Sequence, residues 1–337
     1  MANPAPMMPV TASAPGKLLL AGEYAVLDGA PAVCMAVDRR ALVRISPAAQ
    51  NHHTVTAPGF CSTVGRFKAH NDDLEWLAGE DDFRLVDHVW RSAGVAATGS
   101  LAIVLDTNEF LDAESDTKIG IGSSAALTVA LVAAVCELLE TDGDATGIAS
   151  AAHRQFQGGR GSGADVACCA AGGLIEYRKG GKQVQRIMWP EGLAYTILWS
   201  GIAASTGGKL ERLAGQRARP SRAALVHAAT RVAKAWRDAS VQSILDEYRD
   251  YTKALGEFSI DHALGIFDAG HAELVAAADA AGLVYKPCGA GGGDIGIVFA
   301  DDAAAIRAFV SDAMPKNFRA LNMSIDPCGV RVCREEH

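Results

Sequence analysis

KIGIGSSAAL, residues 118–127, sets two glycines and two serines immediately before an apolar run. That run, through Glu140, is apolar almost all round and predicts a central buried helix. Gly120 and Gly122 let the backbone approach a ligand closely. Ser123 and Ser124 fall where the helix begins, so free backbone N–H groups and the positive end of the dipole point outward. The stretch alone fits two readings, a phosphate cradle or a serine that caps the helix. Gly120-x-Gly122-x-x-Ala125 also matches the dinucleotide pattern formally, but its context fails. The polar loop NEFLDAESD (108–116) precedes the turn, and no second strand with an acidic end follows the helix. The pattern GxxxxGK[ST] is absent, which excludes a Walker-type loop.

Two further glycine turns sit beside apolar segments. In GSGAD (161–165), Asp165 follows glycines and opens a short apolar helix, as an N-cap carboxylate or as a base beside an open backbone pocket. In KPCGAGGGD (286–294), four glycines crowd Gly289–Gly293, as a tight connection or as a close approach to a ligand. Three such turns point to one composite anion site.

Alternating and β-branched residues predict strands early in the chain, and helices dominate after Trp189–Pro190. With 337 residues this gives two domains, 1–189 and 190–337. The chain is 49% hydrophobic with a net charge of -8 and no Lys/Arg-rich run, which argues against nucleic acid as a partner. Eight cysteines lack CxxC spacing and have mostly apolar neighbours, so buried free thiols in a reducing compartment are expected. Nine scattered histidines suggest no metal site of their own. With no signal peptide and no membrane span, a cytoplasmic protein is expected. Oligomeric state, monomer or homodimer, is not readable.

Residues Ala14–Leu27 (APGKLLLAGEYAVL), KIGIGSSAAL and KPCGAGGGDIGIVF resemble, in order and spacing, the three motifs of the GHMP small-molecule kinases. The resemblance implies an α+β, two-domain fold. Its N-terminal domain would be like ribosomal protein S5 domain 2, its C-terminal domain ferredoxin-like, with ATP and acceptor in the cleft between them. Within the family, GEYAVLDG (22–29), GSGADVA (161–167) and WSGIAAST (199–206) are similar to the phosphomevalonate kinases. Phosphomevalonate is then the expected substrate, with mevalonate as the alternative acceptor or another GHMP-family kinase or decarboxylase activity as the alternative reaction.

The resemblance also implies roles. Lys118, Gly120, Ile121, Gly122, Ser123, Ser124 and Ala125 would hold the ATP phosphates, with Ser124 on Mg2+. Asp165 would take the proton of the attacking oxygen or orient it, and Lys17 would keep Asp165 ionised and stabilise charge on the moving phosphoryl. Arg160 would meet the acceptor phosphate, with Lys118, Arg39, Lys209 and Lys286 as further cations. Glu23, Tyr24, Ser162, Gly163 and Ser205 would contact the rest of the acceptor, Glu23 by positioning a donor. Gly291 and Gly292 would approach the acceptor or the phosphoryl in flight. One departure matters: mevalonate kinases carry a metal-binding Glu about eleven residues before the Asp, whereas here HRQFQGGRG (153–161) holds no acid. A regulatory binding protein on the same fold would lose Lys17, Asp165 or the serine turn, and all three are present.

Overall fold

The computed structural model describes residues 8–70, 73–95, 99–141, 143–181, 184–204, 206–214 and 219–335. Strand β1 (Val10–Ala21) pairs antiparallel with the long β2 (Ala32–Pro47), with register shifts at Pro15/Gly16 and Leu19/Ala21. Then β3 (His53–Thr56), β4 (Val64–His70) and β5 (Asp73–Ala78) form a meander. Helix α1 (Arg84–Ala93) buries Leu85, Val86, Val89 and Trp90, one apolar stripe at helical spacing. It leads to β6 (Leu101–Asp106), which pairs antiparallel with β2 and parallel with β3.

The expected central helix is α2 (Ser123–Leu138), buried along most of its length against β1 and β2. Beside it lie α3 (Ala145–Phe156) and α4 (Ala164–Ala171). Strand β7 (Leu174–Tyr177) pairs with β2 and antiparallel with β8 (Gln185–Arg186).

A second sheet is built from β9 (Ala194–Trp199), β10 (Val284–Pro287), β11 (Ile295–Ala300) and β12 (Arg319–Leu321). Between β9 and β10 run α5 (Thr206–Ala214), α6 (Pro220–Asp238), α7 (Val241–Asp261) and α8 (His271–Ala280); α9 (Ala303–Asp312) joins β11 to β12. The order β10-β11-β9-β12, antiparallel throughout, is the ferredoxin-like arrangement. The α+β, two-domain expectation therefore stands. IGIVFA, the β11 sequence, is buried at every position because both faces are covered. Ile297 and Phe299 join the larger core, Phe299 against Trp236 of α6 and Tyr248 of α7, whereas Val298 and Ala300 join the cluster with Leu274 and Phe309 of α8 and α9. Tyr248 of α7 stacks on Phe299 at 4.7 Å and accepts a 2.9 Å hydrogen bond from the Trp236 indole of α6.

The tail departs from a simple cut at residue 189. Its strand β13 (Arg331–Arg334) pairs with β1 and becomes an edge of the first sheet. The chain thus crosses back, and Asp326 N–H donates to Ala36 O on the way. All eight cysteines are free, but Cys328 and Cys333, on this returning tail, are exposed rather than buried. Among the described residues, no helix is long and apolar enough to cross a membrane.

Candidate active site

A cleft of about 390 Å³ lies between the two sheets. Two helices begin at its wall, α2 and α4. Each has a glycine in the left-handed region at its N-cap, Gly122 (φ 80°) and Gly163 (φ 87°), and neither cap residue makes a side-chain hydrogen bond. Ser123 is therefore the first helical residue rather than a cap, and Asp165 is the second of α4. The capping reading fails for both. Two helix N-termini face one cavity, which favours a polyanion there.

The glycines of the first turn are required by close approach. A Cβ at Gly122 would lie 2.7 Å from Cε of Lys17, and one at Gly120 would lie 2.3 Å from Cγ of Asp294. The lysine from β1 and the aspartate from the third turn thus lie directly on the backbone of the phosphate-loop candidate. Lys17 N–H also donates to Ile121 O at 2.8 Å, which fixes β1 to this turn.

Lys17, Glu23, Tyr24, Lys118, Gly120, Ile121, Gly122, Ser123, Ser124, Arg160, Ser162 and Asp165 all line the cleft. Other expected residues stand behind it. Ala125 is fully buried under the turn, and Gly163 packs its Cα toward the Tyr177 hydroxyl. Gly291 and Gly292 face the Gly265–Ile266 backbone and Lys209, so the cleft is met instead by Gly289 and Ala290. Arg39 bonds Asp38 and the Asn322 carbonyl and is not in the lining. Ser205 lies outside the described residues.

Several expected contacts are already committed within the protein. Glu23 is buried, and one carboxylate oxygen accepts from the Lys286 ammonium at 2.5 Å, the other from the Tyr251 hydroxyl at 2.5 Å. Lys286 is fully buried in this pair, so it is not a free cation for the acceptor. Burial by itself would lower its ammonium, but Cys288 and the Glu23 carboxylate outweigh that and hold it above the ordinary lysine value. The Tyr24 hydroxyl donates to Ala290 O at 2.7 Å, and Lys209 donates to Ala290 O and Gly291 O. These groups lock the third glycine turn over the cleft. Burial lowers the Lys209 ammonium from its usual value. Arg160 pairs with Glu211 at 2.7 Å, both well exposed.

No ion pair joins Lys17 to Asp165 among the described residues; the Asp165 carboxylate instead has the His153 ring beside it, Nδ1 to Oδ2 at 3.7 Å. Sequence reading missed His153, which is 2% exposed and held below its usual pKa by burial. It also missed Asp294, whose residue ends the third motif and whose φ of 55° is unusual outside glycine. Burial pushes the Asp294 carboxyl up, and its Oδ1 accepts from Ala204 N–H at 2.9 Å. Phe110 and Gln157 complete the wall unannounced by any motif. Burial raises the thiols of Cys34 to about 12 and of Cys288 to about 11, so neither wall cysteine is a thiolate nucleophile at neutral pH.

The described residues hold no cluster of three or more His, Cys, Asp or Glu that could cage a metal. The oxygen donors Ser124 and Asp165 suit a hard cation that keeps water and ligand phosphates around it.

A ferredoxin-like sheet facing a larger mixed sheet, with two helix N-termini at the cleft between them, defines a two-domain α+β protein whose cleft suits a small polyanion. Residues 86–173 match the model of the GHMP kinases N terminal domain. A phosphomevalonate kinase of Streptomyces sp. (strain CL190) is 32% identical over 87% of this chain and 90% of its own length. A mevalonate kinase of Pyrococcus abyssi is 29% identical over 84% of this chain and 86% of its own. A Streptococcus pneumoniae phosphomevalonate kinase, solved in complex with phosphomevalonate and AMPPNP, shares the fold with a TM-score of 0.78 at 18% identity, over 94% of this chain and 99% of that one. The chain belongs to the GHMP kinase family.

Proposed function

We propose that the protein transfers the γ-phosphoryl group of ATP to phosphomevalonate, giving diphosphomevalonate. The observation that carries this reading is the convergence of two helix N-termini, Lys17 and Asp165 on one cleft. The turn Gly120–Ala125 would receive the ATP phosphates. The acceptor oxygen bonds to the γ-phosphorus as the bond to the β,γ-bridging oxygen breaks, and the electron pair leaves with ADP. Asp165 orients that oxygen or takes its proton, and Lys17, resting on Gly122, stabilises the charge in transit. Mg2+, with Ser124 among its ligands, would supply charge neutralisation on the phosphates.

Phosphomevalonate is favoured over mevalonate by the Streptomyces relative, which exceeds the Pyrococcus abyssi mevalonate kinase in both identity and coverage. Arg160 at the cleft adds a cation suited to a second phosphate. Its exposed pair with Glu211 is worth little and is readily exchanged for a phosphate. The test is a coupled ADP-release assay offering mevalonate, phosphomevalonate and diphosphomevalonate separately. Turnover of phosphomevalonate alone is expected, and preference for mevalonate overturns the substrate. Arg160→Ala should raise KM for phosphomevalonate about 10-fold or more, with KM for ATP nearly unchanged, as loss of a charge-assisted contact requires. An unchanged acceptor KM removes Arg160 from the site.

A further inference from the structure

His153, in the last turn of α3, stands between two groups that line the cleft. Its Nε2 lies 3.2 Å from Ser124 Oγ, and its Nδ1 lies 3.7 Å from Asp165 Oδ2. The ring is 2% exposed and stacks beside Phe156, so its position is set by packing. A neutral imidazole carries one N–H and one bare nitrogen. A carboxylate only accepts, and at 3.7 Å its charge favours the N–H at Nδ1 by charge–dipole attraction rather than through a hydrogen bond. Nε2 is then the acceptor, and the Ser124 hydroxyl is the donor it meets.

That polarity decides what Ser124 offers the cleft. With its proton turned back toward His153, Ser124 presents oxygen lone pairs to the cavity and no hydrogen. Ser123, one residue earlier on the same wall, makes no side-chain hydrogen bond among the described residues and keeps its proton for an anion. We propose that His153 is a positioning residue that makes Ser124 a cation-facing oxygen, so that the adjacent serines divide their work, Ser123 toward phosphate and Ser124 toward the divalent cation that accompanies the nucleotide. This rests on the nucleotide-kinase reading above and assigns a function to a buried histidine that no motif marks.

The test reads binding rather than turnover. Mn2+ is titrated, by the EPR signal of the free ion, into full-length protein saturated with AMPPNP, and AMPPNP affinity is measured separately in EDTA. His153→Phe keeps a buried ring and removes the acceptor. It should weaken Mn2+ in the ternary complex about 10-fold or more, the range for groups that orient metal ligands, with metal-free AMPPNP affinity within about twofold. His153→Asn, whose amide oxygen can accept from Ser124, should recover part of the loss. Ser124→Ala should weaken Mn2+ similarly, and adding His153→Phe to it should do little more.

Equal Mn2+ affinity in folded His153→Phe and wild type overturns the inference and leaves the kinase reading intact. Loss of metal-free AMPPNP affinity with Mn2+ unchanged also overturns it, because Ser124 would then serve phosphate. Should His153→Phe fail to fold, His153→Asn against Ser124→Ala decides alone: Asn must bind Mn2+ more tightly than Ser124→Ala, and the reverse order defeats the idea. Wild-type protein that binds neither AMPPNP nor Mn2+ overturns the kinase reading itself.

Discussion

Asp165→Asn is expected to lower kcat by about 10²- to 10⁴-fold, the usual contribution of a positioned acid–base group. The substitution keeps the side-chain shape, and the Asn oxygen can still accept the 3.0 Å hydrogen bond that Val166 N–H gives to Asp165 Oδ1. Folding should therefore survive, and thermal melts of the two proteins should nearly coincide. What disappears is the negative charge at the start of α4, the group proposed to face the transferring oxygen. AMPPNP affinity should change little, because the proposed phosphate contacts are the α2 turn and Lys17. The pH profile separates the two acceptor chemistries. A phosphate acceptor has its second ionisation near pH 6, so an acid limb near that value persists in the variant. A hydroxyl acceptor needs the base, and the limb vanishes with it. A kcat within threefold of the parent sinks the assignment of Asp165.

Lys286→Met is expected to destabilise the fold by about 3–5 kcal/mol, the penalty for leaving one member of a buried ion pair uncompensated. Lys286 lies on β10 of the ferredoxin-like sheet, and Glu23 follows β1 of the first sheet. Both side chains are 0% exposed. The pair therefore joins the domains directly behind the cleft, with Lys286 also donating to Leu19 O at 3.2 Å. Methionine fills the volume of the lysine stem but leaves Glu23 with only the Tyr251 hydroxyl and a 3.4 Å contact from Gly289 N–H. The double variant Glu23→Leu, Lys286→Met should recover more than half of the loss, because it removes the stranded charge. Urea denaturation at pH 7 checks both statements. A single-variant loss below about 1 kcal/mol would falsify the view that this pair holds the domains together.

The parts of the site visible in the sequence are those whose geometry is local. A glycine at an N-cap, a serine in a first turn and a carboxylate two residues past a glycine are fixed within a few positions. Gly122, Ser124 and Asp165 could thus be singled out before any fold was known. The apolar composition of 123–138 likewise required a buried helix, since no face of it could be left in water. The cations were harder. Lys286 and Lys209 looked like candidates for the acceptor because a lone lysine carries no mark of its partner. Their partners are Glu23, 263 residues away, and the Ala290 carbonyl, 81 residues away. His153 and Asp294 were passed over for the same reason, since each matters through a neighbour that the chain brings back from elsewhere.

The sequence by itself determined the central buried helix, the three glycine turns and the family, because backbone conformation and apolar period are short-range properties. Tertiary structure decided which charges are free to meet a ligand. It sealed Lys286 against Glu23, laid Lys17 across Gly122 and Asp294 across Gly120, and returned the last strand to the first sheet. Those outcomes depend on strand register and on domain packing, which set distances between residues hundreds of positions apart. KIGIGSSAAL marks where a helix N-terminus opens on the cleft; the fold around it fixes which side chains stand free beside that end.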